Sequence, residues 1–251
     1  MGLLVEDDEQ HSLESYSNGL PTTSEHAKNK CLSFNLIWLL CKLINHLAPL
    51  PDADLSRTRA DSETTDDFVY LESQFDSWHR NISTSFHPDA TFRTPNVQDQ
   101  KSTGLFMRET WFSNDLCSTT MMYYHMARLL LLIHRPPELP SMPFQDTQGA
   151  PFDLIRLLDE TKKKLSYHSA EVISIARGTA CDAVRLRAIQ PLYIAGRCCS
   201  SMDDRKRLLE FLAGIQDSLG IATGYRIKEL LKEWALNFDD LGMEERMIAD
   251  T

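Results

Sequence analysis

Between Asn114 and Arg135 the chain reads NDLCSTTMMYYHMARLLLLIHR, and its apolar side chains surround a helical axis instead of keeping to one stripe. A helix that is apolar all round has to be buried on most sides. The spacing therefore predicts a central helix over about 112–135, closed by Pro136-Pro137, around which the rest of the chain must pack.

The flanking segments supply suitable covers. Leu36, Leu40, Leu43 and Leu47 recur at four, three and four, with Trp38, Leu39 and Ile44 widening the stripe, so a helix is expected over about 25–47. Phe68, Leu71, Phe75, Trp78 and Ile82 form the clearest amphipathic pattern, on a helix starting near Thr64 or Thr65. A polar loop is expected from His87 to Gly104. Phe152 to about Leu165 reads as a helix, whereas Tyr167–Ala176 is ambiguous between helix and break. A helix over about 180–199 should be kinked by Pro191 and closely packed at Gly196. Ser201-Met202-Asp203-Asp204 resembles a capping box. It opens a helix with the face Leu208, Leu212, Ile215 and Leu219, which Gly220 is suited to end. Ile227, Leu230, Leu231 and Trp234 mark a last helix over about 223–235. No segment alternates with period two long enough to predict a strand. The fold class expected is all-α, an irregular multi-helix bundle around the buried helix at about 112–135.

With 251 residues, of which 42% are apolar, the chain can bury roughly 70–75% of its unfolded surface without covalent staples. Residues 1–23 read as an acidic, flexible arm, 24–236 as one helical domain and 237–251 as an acidic tail. Met1 leading into such an arm favours a complete gene product. The longest apolar stretch, Met126 to Ile133, is interrupted by Arg128 and falls far short of the ~18 residues of a membrane span. MGLLVEDDEQ lacks the basic start of a signal peptide, and Glu6 stands where a myristoylation motif needs Ser or Thr. A soluble protein of nucleus or cytoplasm is expected, with six reduced cysteines. The net charge of −10 speaks against direct nucleic-acid binding, which rests on clustered Lys and Arg. The short basic runs Lys162-Lys163-Lys164 and Arg205-Lys206-Arg207 read as solvated helix faces.

No complete catalytic or metal motif is present. Asp66-Asp67 is followed by Tyr70, and Asn114-Asp115-x-x-Ser118 by Met122, where magnesium-diphosphate chemistry requires further acids. No two of the eight histidines stand four apart, no Cys-x-x-Cys occurs, and Asp76-x-x-His79 reads as a surface pair. Neither phosphate-binding nor dinucleotide glycine motifs are found, so no metal and no cofactor is expected. What remains is a set of large amphipathic side chains: Trp78, Trp111, Tyr123, Tyr124, His125, His134 and Tyr193, with Arg128 and Arg197 as polar anchors. These either line a pocket for an apolar small molecule or are core aromatics satisfied internally.

Three stretches carry a resemblance. FDSWHRNI at 75–82, MMYYHMARLLLLIHRP at 121–136, and AIQPLYIAGRCCSSMDDRKRLLEFLAGIQDSLGIATGYRIKELLKEWA at 188–235 together resemble the C-terminal regulatory region of fungal zinc-cluster transcription factors. The resemblance implies a helical regulatory domain, in some members a sensor of apolar metabolites, standing downstream of a six-cysteine DNA-binding module. It implies structural roles for Tyr124, His134-Arg135-Pro136, Tyr193, Arg197 and Trp234. Here the cysteines are scattered from Cys31 to Cys199, so they cannot form the compact cluster, and Ile221 stands where the family carries an aromatic. The expected function is effector sensing or regulation through an apolar small molecule, a protein partner or a homodimer. The alternative is a transcription-factor-like fold recruited as an enzyme of secondary metabolism, with His125, Tyr123, Tyr124 and Arg197 in the polar roles.

Overall fold

Asn114 shows how the central helix begins. Its side-chain Oδ1 accepts from the backbone N–H of Leu116 at 2.9 Å and of Cys117 at 3.4 Å, the N-cap arrangement that satisfies otherwise orphaned donors. The computed structural model describes residues 24–48, 57–93, 104–135 and 150–243, with side chains described from residue 66 onward in the second helix and from 155 onward in the fourth. The helices are α1 (Glu25–Leu47), α2 (Arg57–Arg80), α3 (Asp115–Ile133), α4 (Ala150–Gly178), α5 (Asp182–Arg197), α6 (Met202–Leu219) and α7 (Gly224–Trp234). Among the described residues the fold is all-α in its load of structure, with one antiparallel ribbon, β1 (Ala90–Arg93) against β2 (Arg108–Trp111), paired from Ala90 opposite Trp111 to Arg93 opposite Arg108.

As its composition requires, α3 is the spine. It touches α1, α2, α4 and α5. Residues from Cys117 to Leu131 are buried on every side except Tyr123, Arg128 and Leu130. Several are polar, and one of them is paired across helices: Thr120 and Ser33 hydroxyls meet at 2.8 Å, while each also donates or shares within its own turn, Ser33 to Asn29 O and Thr120 to Leu116 O. The amphipathic face of α2 is buried as its spacing predicts, through Phe68, Leu71, Phe75 and Trp78.

Four expectations are corrected and one open point is resolved. α2 begins at Arg57, ahead of the Thr64 or Thr65 start. Tyr167–Ala176 is no break: α4 runs unbroken to Gly178, its buried face continuing through His168, Ser169, Val172, Ile173 and Ala176. The stretch after His87 is not all loop, because β1 lies in it. The ribbon is stitched to α4 by Arg108–Glu171 at 2.6 Å, Arg177–Glu109 at 2.8 Å and Thr110 Oγ1 to Ser174 Oγ at 3.1 Å. Ser201 is the N-cap of α6 but makes no side-chain cap bond, and Asp204 instead accepts from the Leu105 N–H at 3.0 Å, tying α6 to the segment before β2. Finally, Trp38 and Ile44 do not widen the buried stripe of α1; they are 54% and 50% exposed.

Two glycines fix how closely elements approach. A Cβ on Gly178 would sit 2.1 Å from the carbonyl oxygen of Thr110, so only hydrogen lets β2 lie on the end of α4. On Gly196 it would meet Leu208 at 2.6 Å and Leu230 at 3.0 Å, where α5, α6 and α7 converge. Gly220 ends α6 with a positive φ of 67°, as its position predicts. Beyond α7 the chain continues through a short 3₁₀ turn, Asp239–Leu241, and buries Leu241 and Met243.

Candidate functional site, a buried histidine and aromatic cluster beside an uncharged groove

The turn of α3 that carries Tyr124, His125 and Arg128 faces α2 on one side and α4 on the other. Tyr124 lies in a stack, its ring parallel to that of His79 at 4.6 Å and to Trp78 at 5.5 Å. His125 reaches α4, where its Nδ1 meets Nδ1 of His168 at 2.9 Å. At that distance the two nitrogens share one proton, so one ring donates through Nδ1–H and the other accepts. Tyr167 closes the group, edge-on to both imidazoles. Arg128 caps it toward solvent, paired to Asp76 at 2.6 Å and to Glu72 at 3.5 Å on α2.

Burial governs the charges here. It holds the His125 pKa well below the ordinary imidazole value, with the neighbouring His168 acting in the same direction. Burial, then Arg128, His79 and Lys164, brings His168 down to about 4. The Tyr124 hydroxyl is pushed up to about 12 by burial. Both imidazoles are therefore neutral near pH 7, and the pair is a hydrogen-bonded clasp between α3 and α4. A base so reluctant to take a proton is poorly matched to general acid–base work near neutrality.

The other anticipated residues lie apart from this cluster. Trp111 sits on β2, 47% exposed and edge-on to Phe92 of β1. Tyr123 is half-buried on α3, its hydroxyl pKa raised by burial. Tyr193 and Arg197 belong to a clasp between α5 and α7: both engage Glu233, Tyr193 Oη donating at 2.8 Å and Arg197 Nε at 2.9 Å, while Trp234 Nε1–H donates to Gly196 O at 3.2 Å. His134 is exposed at the end of α3. Asp76-x-x-His79 is split between partners, Asp76 to Arg128 and His79 to Tyr124.

Sequence reasoning missed His168, His79 and Tyr167. The available signal was the three-and-four rhythm Leu165, His168, Val172, Ile175, which carries helix α4 through the stretch left ambiguous and sets His168 on its buried face.

Trp78 connects the cluster to a surface feature. Its Nε1–H donates to Leu32 O at 2.8 Å, fastening α2 to α1, and the ring forms part of the floor of an open groove of about 790 Å³ between those helices. None of the eleven residues lining the groove carries a charge, although 25% of the chain is charged. A second, polar recess of about 500 Å³ lies between the start of α1 and the start of α3, with Glu25, His26, Asp89 and Asn114 on its walls. Among the described residues no three His, Cys, Asp or Glu side chains converge as a metal site does. No helix among them is long and apolar enough to cross a membrane.

Comparison with known proteins gives one informative likeness. The chain is 29% identical over 229 residues to the transcription activator AMTR1 of Alternaria alternata, a match covering 85% of this chain and 28% of that protein. The chain thus spans less than a third of the length of the relative it matches. No family model matches, and no solved structure matches.

Proposed function

We propose that this chain is a regulatory region of a transcription-factor-like protein, of the kind that stands C-terminal to a zinc-cluster module, and that it acts in the nucleus through a bound partner without reading DNA itself. The observation that carries the reading is the likeness to a fungal transcription activator along 85% of the chain. A match over 229 residues is far longer than a short motif.

Physical chemistry supports the division of labour. The six cysteines are spread over the fold, Cys31 and Cys41 exposed on α1, Cys117 buried in α3, and Cys181, Cys198 and the buried Cys199 at the two ends of α5. Burial raises the Cys117 thiol to about 11 and the Cys199 thiol to about 12, which disfavours the thiolate that zinc requires. A net charge of −10 adds repulsion from phosphates. What the surface offers is the uncharged α1–α2 groove, suited to a partner protein or an apolar small molecule and to nothing strongly ionic.

The test is a tethered reporter. The full chain is fused to an unrelated DNA-binding module, and transcription from a promoter bearing that module's sites is compared with the module alone. A several-fold change in either direction is expected; equal output at equal protein level would refute the regulatory reading. In parallel, duplex DNA titrated against the purified chain should show no binding near physiological salt, and a salt-resistant specific complex would refute the claim that it does not read DNA.

A further inference from the structure

α1 carries two apolar faces. One, through Leu36, Leu39, Leu40 and Leu43, lies in the core. The other is bare: Phe34 is 69% exposed, Ile37 43%, Trp38 54% and Ile44 50%, and the exposed Cys41 falls between them. Phe34, Ile37, Cys41 and Ile44 follow one another at three, four and three, the a/d spacing of a helix–helix seam, and Trp38 flanks it. Within this span the single exposed charge is Lys42, whose ammonium rests 3.6 Å above the Trp38 ring.

We propose that this seam binds α1 of a second copy of the chain, so that the protein forms a two-fold homodimer in which each α1 stripe lies over the α1–α2 groove of the other. This rests on the reading of the groove as a docking surface and names its occupant.

Three observations select a second copy. No residue lining the groove is charged and the stripe beside it is apolar; the one cation at their edge, Lys42, already rests on the Trp38 ring, so a strongly ionic partner finds little counterpart there. Stripe and groove share residues, including Ile37 and Trp38, which makes the patch self-complementary as a two-fold interface demands. The area suffices. Aromatic side chains carry roughly 150–250 Å² each, so the four exposures leave about 400 Å² of apolar surface on one copy. Two such stripes, with the groove lining that is not itself stripe, Gln74, Ser77 and Asn81 among it, approach the ~1,200 Å² at which specific interfaces begin. An antiparallel arrangement with the axis between Ile37 and Cys41 sets Phe34 against Ile44 of the second copy and opposes the two helix dipoles.

The experiment is sedimentation of the purified full chain over a hundredfold range of concentration around ~10 µM, with Ile37→Glu as the disruptive variant and Leu186→Glu, at an exposed apolar position on α5, as the control. Both positions face solvent, and circular dichroism confirms that each variant is helical. Concentration-dependent dimerisation of wild type and of Leu186→Glu is expected, with Ile37→Glu at least tenfold weaker. A wild type that stays monomeric throughout, a dimer indifferent to Ile37→Glu, or equal loss in both variants would overturn the proposal. So would a monomer whose native mass includes a retained apolar compound. A monomer that still changes the tethered reporter removes the dimer and leaves the regulatory reading standing.

Discussion

Replacing His168 by Asn should reverse its effect on stability within the mildly acidic range. At pH 7.5 the substitution removes the partner of a buried His125 nitrogen and costs about 1 kcal/mol, the net worth of an ordinary hydrogen bond. In the folded wild type His168 holds a pKa of about 4, against 6.5 for an unhindered imidazole. As pH falls from 6.5 the unfolded chain therefore takes up the proton before the folded one, and stability present above pH 6.5 is lost progressively toward pH 4. The loss reaches about 1 kcal/mol near pH 6 and about 3 kcal/mol when fully expressed. Asn titrates nowhere in this range, so the variant is spared that contribution. Urea unfolding followed by circular dichroism and by tryptophan fluorescence, with coincident transitions as the check on two-state behaviour, should show wild type ahead at pH 7.5 and the curves meeting near pH 6. Curves that stay parallel from pH 7.5 to 5 would refute the buried neutral pair.

Four further outcomes follow from packing and from a surface ion pair. Gly178→Ala drives a methyl group into the Thr110 carbonyl, and since backbone cannot step aside as a side chain can, a loss above ~3 kcal/mol is expected in thermal unfolding; Gly214→Ala, mid-helix in α6 with nothing within 4 Å, should instead stabilise by about 0.5–1 kcal/mol. Phe75→Ala empties a fully buried site and should cost about 3–5 kcal/mol by the same measurement. Glu233→Ala cuts the α5–α7 clasp at exposed side chains and should cost under about 1 kcal/mol in urea, diminishing further in high salt.

The parts of the fold that could be read from residues are those where one physical signal dominates. α3 announced itself because no polar face interrupts it, and α2 because Phe68, Leu71, Phe75 and Trp78 keep strict rhythm. α4 was obscured by polar residues on its buried side: His168, Ser169 and Ser174 look like a solvent face, although His168 and Ser174 find partners across the core in His125 and Thr110. The ribbon left no signature, since its four-residue strands take their support from Glu171, Ser174 and Arg177, more than sixty residues away in sequence. Trp38 was misplaced for a different reason. A wide apolar arc on α1 is equally consistent with one broad buried face or with two faces, one of them bare. At the candidate site, Trp78, Tyr124, His125 and Arg128 do come together, whereas Tyr193 and Arg197 answer to Glu233 elsewhere.

A domain exchange tests the regulatory reading most directly. In the Alternaria activator the segment matched by this chain is replaced by the chain itself, and output from a promoter under that activator is compared with the intact protein and with a version lacking the segment. Output well above the segment-deleted protein at equal expression is the predicted result. Output no different from the deletion, with the chimera folded and abundant, would contradict the account.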